Sequence, residues 1–434
     1  MQIDPVLAFY GLPLAAIVGL YAISRNRAEA RAVAQKHEAI DAGLGEPMSL
    51  HPVIDTTLCL GCKACINACP EGDILGLIRN KAQLVEPSNC IGHGACKTAC
   101  PAGAISLVFG SERRGVELPL VNPDFQTTVP GIYIAGELGG MGLIRNAIEQ
   151  GRQAMESIAS KSRSRRADML DVLIVGGGPA GIAASLSAIE KKLRFATVEQ
   201  ESLGGTVAQF PRGKVVMTSP AYLPLVGEVK FKEVSKEQLI EFWQGVVRDT
   251  GLQIRCQERV ESIIRIDGGF AVRTTRGNYL AASVLLAIGR RGTPRKLGVP
   301  GEHLPKVTYR LIDPDQYRGQ RVLVVGGGDS ALEAAAALAS EPQTTVTLSY
   351  RSDAFARAKS KNRQSVADAA KAGRLELLLP SEVRAISPHQ VELDVRGQIV
   401  VRRNDAVIIC AGGILPTGFL KEIGIEIETK YGTA

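Results

Sequence analysis

Two cysteine runs, "CLGCKACINACP" at 59–70 and "CIGHGACKTACP" at 90–101, constrain this chain more than any other feature. Seven of its nine cysteines fall between positions 59 and 100, while Cys256 and Cys410 lie far apart in β-type apolar runs. A disulfide framework would spread its cysteines over the fold, so this clustering reads as metal binding in a reducing compartment. The first run has the spacing C-x2-C-x2-C-x3-C-P, in which three close thiolates wrap three irons of a cube and the proline turns the chain away. A single zinc site needs only four ligands, so seven cysteines in two such runs argue against zinc. Cys256 and Cys410 are expected to be inert core residues.

The second run repeats the first with one change: His93 stands where a second cysteine belongs. Residues 50–108 resemble a two-cluster bacterial ferredoxin, an α+β module whose repeated endings "CPEGDI" and "CPAGAI" mark two halves. In that family each run lends its last cysteine to the other cube. The resemblance therefore implies one cluster on Cys59, Cys62, Cys65 and Cys100, and a second on Cys90, Cys96 and Cys69 with His93 as candidate fourth ligand. Two outcomes stay open for that corner, a [3Fe–4S] cluster or a histidine-ligated [4Fe–4S] cluster. Gly92 and Gly94 would leave room for the ring, and a neutral imidazole would raise the cluster's potential.

Residues 6–23, "VLAFYGLPLAAIVGLYAI", carry no charge; Asp4 precedes them, and Arg25, Arg27 and Arg31 follow. Eighteen such residues sit at the lower edge of what spans a bilayer. A signal peptide would put its positive charges first. The expectation is one transmembrane anchor in the inner membrane over 1–24, with the N-terminus outside and the bulk cytoplasmic. A helical or flexible stalk over 25–48 would follow. The competing reading is a buried apolar helix, towards which Gly11-Leu-Pro13 points.

Further on, "DVLIVGGGPAGIAASLSAI" is an apolar strand, a GxGxxG turn with Gly176, Gly178 and Gly181, and a helix opened by Pro179 and Ala180. Such glycines let the backbone approach a pyrophosphate seated on the helix N-terminus. The next strand, "RFATVEQ", carries Glu199 where a carboxylate should bind ribose hydroxyls. A second copy, "RVLVVGGGDSALEAAAALAS", has Gly326, Gly328, Asp329, Ser330 and Ala331. Its second strand ends on Arg351 in place of an acid, with Arg357, Lys359, Lys361 and Arg363 close behind. Cations there suit a 2′-phosphate, so NADPH is expected over NADH; the plainer alternative is a solvated basic loop.

With "LLAIGRRGTP" (285–294) before the second copy and "VIICAGGILPT" (407–417) after it, the chain resembles the thioredoxin-reductase-like flavoproteins over about 115–155 and 168–434. That family has an α/β fold of two Rossmann-like, three-layer dinucleotide-binding domains, the NAD(P) domain inserted in the FAD domain. Here the closing FAD segment, "GIYIAGE" (131–137), precedes the opening one, which implies a circularly permuted FAD domain. Permutation is tolerable because domain termini usually lie close together at the surface. The expected parts are 49–110 ferredoxin domain, 111–155 permuted FAD segment, 156–169 linker, 170–295 FAD domain, 296–410 NAD(P) domain and 411–434 FAD strand return. The linker's basic run from Lys161 to Arg166 is expected to be a solvated tether. Cofactor contacts carried over are Gly136, Glu137, Gly205, Thr206, Gly289 and Gly412, besides the residues of the two turns.

Relatives of this type commonly reduce disulfides through a cysteine pair. In this chain "LGGTVAQF" (203–210) has Val207 at one such place, and 300–405 contains no cysteine. The iron–sulfur pair is then the visible exit for flavin electrons, and no catalytic acid–base residue is named. The function implied is an NAD(P)H oxidoreductase carrying FAD, NADP (or NAD) and two iron–sulfur clusters. Its partner would be a membrane-bound cytochrome or quinone-reactive subunit. The alternatives are a ferredoxin–NADP reductase running towards NADPH, or an electron-wiring subunit of a larger membrane complex. Homodimerisation stays open. The net charge of +7 comes with no nucleic-acid motif, so no nucleic-acid partner is expected.

Overall fold

The computed structural model describes residues 5–432 except 42–43, 48–49, 91, 113–114, 141, 162–165, 213–214, 218–219, 232 and 356–357. Most of the basic linker run and Arg357 therefore lie outside the described residues. The chain forms two compact units: Met1–Val116 with Ala356–Ser360 and Lys430–Ala434, and Glu117–Phe355 with Lys361–Thr429.

In the first unit, β1 (His51–Ile54) pairs antiparallel with β4 (Ile105–Val108), and β2 (Leu75–Ile78) with β3 (Lys81–Leu84). Arg79 and Asn80, both at positive φ, make the two-residue turn between β2 and β3, which suits the right-handed twist of a hairpin. Each cysteine run contains a four-residue helix, α2 (Ala64–Asn67) and α3 (Ala95–Thr98). Cys65, Leu75, Ala82, Cys96 and Ile105 form the small core. So little apolar surface is marginal for stability, and metal–thiolate bonds would supply what the core lacks.

Before them runs a single helix, α1 (Pro5–Asp41), 37 residues long with Pro13 inside it. Its second half packs on the β2–β3 hairpin. Ala32 and Ala39 are buried, and a Cβ at Gly76 would lie 2.6 Å from the Ala32 methyl. Glu29 Oε1 accepts from the Arg79 N–H at 2.7 Å, and Lys36 Nζ donates to Gln83 Oε1 at 2.8 Å. This corrects the expected anchor; the stretch read as a helical or flexible stalk is helical to Asp41. Among the described residues no helix is long and apolar enough to cross a membrane, which overturns the inner-membrane localisation. The apolar turns continue without a break into charged ones, and those are fixed to protein rather than left as a tether.

Two larger sheets organise the second unit. One has seven strands, ordered Ile254–Arg255, Phe195–Val198, Leu170–Val175, Asn278–Leu286, Gly269–Thr274, Val260–Ile266, with Ile132–Ile134 pairing Asn278–Leu286 off that path. Leu170–Val175 is almost wholly buried, as expected of a central parallel strand covered on both faces. Ile132–Ile134 runs parallel to Val284–Leu286, and its isoleucines share a core with Leu173, Val175, Leu286, Leu420 and Ile425. The strand Val116–Pro119 forms a two-stranded sheet with Ile427–Lys430, and Leu120 N donates to Glu426 O at 2.9 Å. Early and late parts of the chain thus build one sheet system.

The second sheet has five parallel strands in the order Val307–Thr308, Ala406–Ile409, Arg321–Val325, Thr345–Ser349, Leu375–Leu378. Each Gly-rich turn links a central strand of its sheet to a helix, α5 (Pro179–Glu190) after Leu170–Val175 and Asp329–Ala339 after Arg321–Val325. The second unit is thus an α/β, Rossmann-like architecture, and the first an α+β module.

Between the early segment and the first turn lies α4 (Ile144–Lys161), packed on α5 with Ala154, Met155 and Ile158 fully buried. Gly151 is the closest point: a Cβ there would stand 2.1 Å from the Ala180 carbonyl oxygen. Gly151→Ala is expected to cost about 1–3 kcal/mol through overpacking and to loosen the turn that α5 opens. Thermal unfolding and flavin content check it: both should fall, and an unchanged melting temperature would mean that α4 is not seated there.

Candidate cofactor and metal centres

The sulfurs line two pockets. Cys59, Cys62, Cys65 and Cys100 line one, with Ile54, Ala82 and Ile105. Cys69, Cys90 and Cys96 line the second, together with His93. The sulfurs stand on the walls of the two pockets, an arrangement that suits cubes. The N–H of Ala82 points at Cys59 Sγ (3.4 Å) and that of Ala104 at Cys100 Sγ (3.3 Å), donors that would stabilise thiolate charge. Burial pushes the Cys65 and Cys96 thiols up and takes Cys90 to about 11, with neighbouring sulfurs adding to each. Bare thiolates would repel one another here, and bound iron offsets that repulsion, so the donor set fits clusters.

Local geometry explains the grouping. Cys62 is exposed whereas Cys65 is buried. Gly92 and Gly94 sit at positive φ beside Leu50 and Leu107: added Cβ atoms would lie 2.9 and 3.1 Å from those side chains. They serve backbone shape and close packing, not room for the ring. Burial lowers the His93 imidazole from its ordinary value; Glu71 opposes this and Lys359 adds to it.

On the first sheet of the second unit, the turns named from the sequence meet at one edge. Gly136 faces Ala180: its Cβ would lie 3.1 Å from the Ala180 methyl. Gly205 approaches Gly178, Cα to built Cβ 3.2 Å, and Gly204 N donates to Gly177 O at 2.9 Å. Thr206 lies beside Gly289, 3.8 Å from where a Cβ would stand. Gly176 and Gly181 leave no room for side chains, since Cβ atoms there would meet Ala287 O at 2.3 Å and Gly176 O at 1.8 Å. Gly178 instead is open, its nearest neighbour 3.9 Å away. An edge packed tight except where a pyrophosphate would approach fits a dinucleotide.

Glu199 is buried, and its carboxylate accepts from the N–H groups of Gly177 (2.6 Å) and Glu201 (2.8 Å). Burial raises its pKa, and those two donors oppose the rise. Besides any ribose contact it therefore fixes the glycine turn. Glu137 is accessible but sits in a crowded recess that raises its carboxyl, against the pull of Arg290 and Arg291. Both arginines went unnoticed in the sequence, as did Gln150, whose Oε1 accepts from Gly136 N at 2.8 Å and sets that turn. Paired arginines after a Gly-ended strand were the available signal.

The other sheet repeats the design. Gly326, at positive φ, would put a Cβ 2.3 Å from Cys410 O, whereas Gly328 faces open space. Ala331 is buried in the helix Asp329–Ala339, and Asp329 Oδ1 accepts from Asn362 Nδ2 at 2.7 Å, which turns this acid towards the following helix. Ser330 occupies the first turn of the same helix, and Gly412 has no neighbour within 4 Å of a built Cβ. Arg351 follows the neighbouring strand Thr345–Ser349 and is exposed, with no hydrogen bond or ion pair among the described residues. Val207 is buried within the turn Gly205–Gln209. Cys256 and Cys410 are half-buried rather than the core residues expected; burial takes the Cys410 thiol to about 11 and raises Cys256 as well.

Comparison with known proteins agrees with this division. The family described as pyridine nucleotide-disulphide oxidoreductase matches residues 173–433, and a 4Fe-4S dicluster domain matches 51–101. The chain is 33% identical over 278 residues to a ferredoxin–NADP reductase of Thermus thermophilus, covering 60% of this chain and 78% of that one. It is 32% identical over 188 residues to a ferredoxin–NADP reductase of Ignicoccus hospitalis, covering 43% and 58%, so it spans little more than half of that relative's length. A bacillithiol disulfide reductase from Staphylococcus aureus superposes with a TM-score of 0.53 at 24% identity, over 59% of this chain and 80% of that one, a likeness of fold alone. FAD, NADP and iron–sulfur clusters are the cofactors that these matches bring.

Open glycines give a clean test. Gly178→Ala should leave the melting temperature of the flavin-free protein unchanged while lowering flavin content. Gly328→Ala should keep the flavin and raise the KM for NADPH. Flavin titration and initial rates check both, and full FAD retention by Gly178→Ala would remove the pyrophosphate from that turn.

Proposed function

Because the chain belongs to the pyridine nucleotide-disulphide oxidoreductase family, we propose that it moves electrons between NADPH, FAD, two iron–sulfur clusters and a one-electron redox protein. The observation carrying this is the replacement of dithiol chemistry. Val207 is packed where a reactive cysteine would stand, 300–405 contains no cysteine, and the seven clustered sulfurs line two pockets. Bound FAD supplies the exchange between a two-electron hydride carrier and one-electron centres.

On this reading Gly176, Gly178, Pro179, Ala180 and Gly181 hold the FAD pyrophosphate at the N-terminus of α5. Glu199 sits at the adenosine ribose, and Gly136, Glu137, Gly205, Thr206 and Gly289 line the rest of the cofactor. Gly326, Gly328, Asp329, Ser330, Ala331 and Gly412 shape the nucleotide site, with Arg351 for the 2′-phosphate. The order of segments is a circular permutation of the flavoprotein, a reading supported by the pairing of Ile132–Ile134 with Val284–Leu286 and of Val116–Pro119 with Ile427–Lys430. Electrons enter or leave through the first cluster, since Cys62 is exposed. A membrane-bound cytochrome or quinone-reactive subunit loses its motivation with the anchor. Kinship with ferredoxin–NADP reductases favours a diffusible carrier, in either direction of flow.

Two measurements follow. Arg351→Ala should raise the KM for NADPH about tenfold, the loss of one charge-assisted contact of about 1.4 kcal/mol, and spare NADH. Equal effects on both nucleotides would remove the 2′-phosphate role. Cys62→Ser should abolish reduction of a one-electron protein acceptor while NADPH-driven dye reduction through the flavin continues. Loss of neither activity would take the first cluster off the path, and absence of any dye reduction by the intact protein would favour the electron-wiring reading.

A further inference from the structure

We propose that the His93 imidazole is the fourth protein ligand of the second cluster, binding iron through Nδ1 while Glu71 holds Nε2. The inference deepens the two-cluster reading above and rests on it. Its first support is a backbone repeat. Gly61 (φ +70°) and Lys63 (φ +63°) bracket Cys62, while Gly92 (φ +79°) and Gly94 (φ +77°) bracket His93. Lys63 and Gly94 are each the left-handed N-cap of a four-residue helix, α2 and α3. Those helices end on Ala68 (φ −83°, ψ −12°) and Ala99 (φ −80°, ψ −9°), so the two runs trace nearly the same path. His93 therefore leaves its backbone as Cys62 leaves its own.

Position agrees with conformation. His93 lines the pocket that holds Cys69, Cys90 and Cys96, as Cys62 lines the pocket of Cys59, Cys65 and Cys100. The loop cannot drift off, because Gly92 is backed by Leu50 and Gly94 by Leu107. With only three cysteines at this pocket, the imidazole is the donor standing at the fourth corner.

The choice of nitrogen follows from bond counting and from Glu71. A cysteine sulfur lies two bonds from Cα, Nδ1 three, and Nε2 four, so on a shared backbone Nδ1 is the better substitute. Nε2 is 3.8 Å from Glu71 Oε1, in ion-pair range though longer than a hydrogen bond. Metal-bound imidazoles commonly direct their other N–H to a carboxylate, which fixes the tautomer and raises ligand basicity. Glu71 follows Cys69 and Pro70, so the segment that donates a thiolate to this pocket also brings the group that orients the imidazole. Nδ1 gives its lone pair to iron, Nε2 keeps its proton, and no oxidation state changes. Glu71 is thus a positioning residue.

The test uses the full-length protein with flavin and clusters loaded, reduced and examined by pulsed EPR for nitrogen coupled to a four-iron signal. Wild type should show one strongly coupled nitrogen. His93→Cys should lose it, keep a four-iron signal and lower that cluster's midpoint, because a thiolate adds negative charge. Glu71→Gln should keep the nitrogen, alter its quadrupole coupling and raise the midpoint. Should His93→Cys fail to fold, His93→Ala with added imidazole should restore the coupled nitrogen. Wild type without coupled nitrogen, or with an intrinsic oxidised three-iron signal as isolated, overturns the ligation; unchanged coupling in Glu71→Gln overturns the role of Glu71. Iron and sulfide sufficient for only one cluster would instead overturn the two-cluster reading itself.

Discussion

The parallel hydrogen bonding of Ile132–Ile134 to Val284–Leu286 is the contact on which the flavoprotein unit depends. Three residues make a weak strand alone, but here both isoleucines are sealed into a core shared with Leu173, Leu286, Leu420 and Ile425. The strand fixes what comes next in the chain: Gly136 set by Gln150, Glu137 beside the arginines, then α4 against α5. A segment far from the rest of its sheet in sequence gains specificity from register, because a one-residue slip would exchange Tyr133 with the isoleucines between the two cores it serves.

The iron–sulfur module depends on a different balance. Its core is a handful of residues, two of them cysteines, so much of its cohesion must come from metal–thiolate bonds. Those bonds need deprotonated sulfur in a dry pocket, which burial alone opposes and peptide N–H donors favour. Cys62 is the counterpart: it is exposed, so one wall of the first pocket lies at the surface.

Much of this was legible in the sequence because its chemistry is short-range. The resemblance to two-cluster ferredoxins implied the grouping of sulfurs that the two pockets show, and strand–turn–helix patterns located both Gly-rich turns. What escaped was contact between residues distant in sequence. Gly151 reads as an ordinary helix glycine until Ala180 is placed above it, and Glu71 as a surface acid until His93 stands near. The N-terminal helix misled for a related reason. Hydropathy over 6–23 is a property of a window, whereas the structure continues the same helix to Asp41 and packs Ala32 against Gly76. Gly92 and Gly94 were matched to the right place for the wrong reason, since they serve Leu50 and Leu107 rather than the ring.

The glycines also separate two kinds of constraint that a motif merges. Gly176, Gly181 and Gly326 cannot carry a side chain because protein backbone already lies within 2.3 Å of where its first carbon would be. Their identity is set by folding, whatever binds. Gly178, Gly328 and Gly412 meet nothing closer than 3.9 Å, and Gly178 and Gly328 have backbone angles that other residues can adopt. Nothing in the protein itself requires glycine at Gly178 and Gly328. What they leave clear is the approach of another molecule to the helix N-terminus, where peptide N–H groups and the helix dipole favour anionic charge. Both turns share the pattern: the glycine just before the helix is the uncrowded one, while the first glycine is packed against backbone.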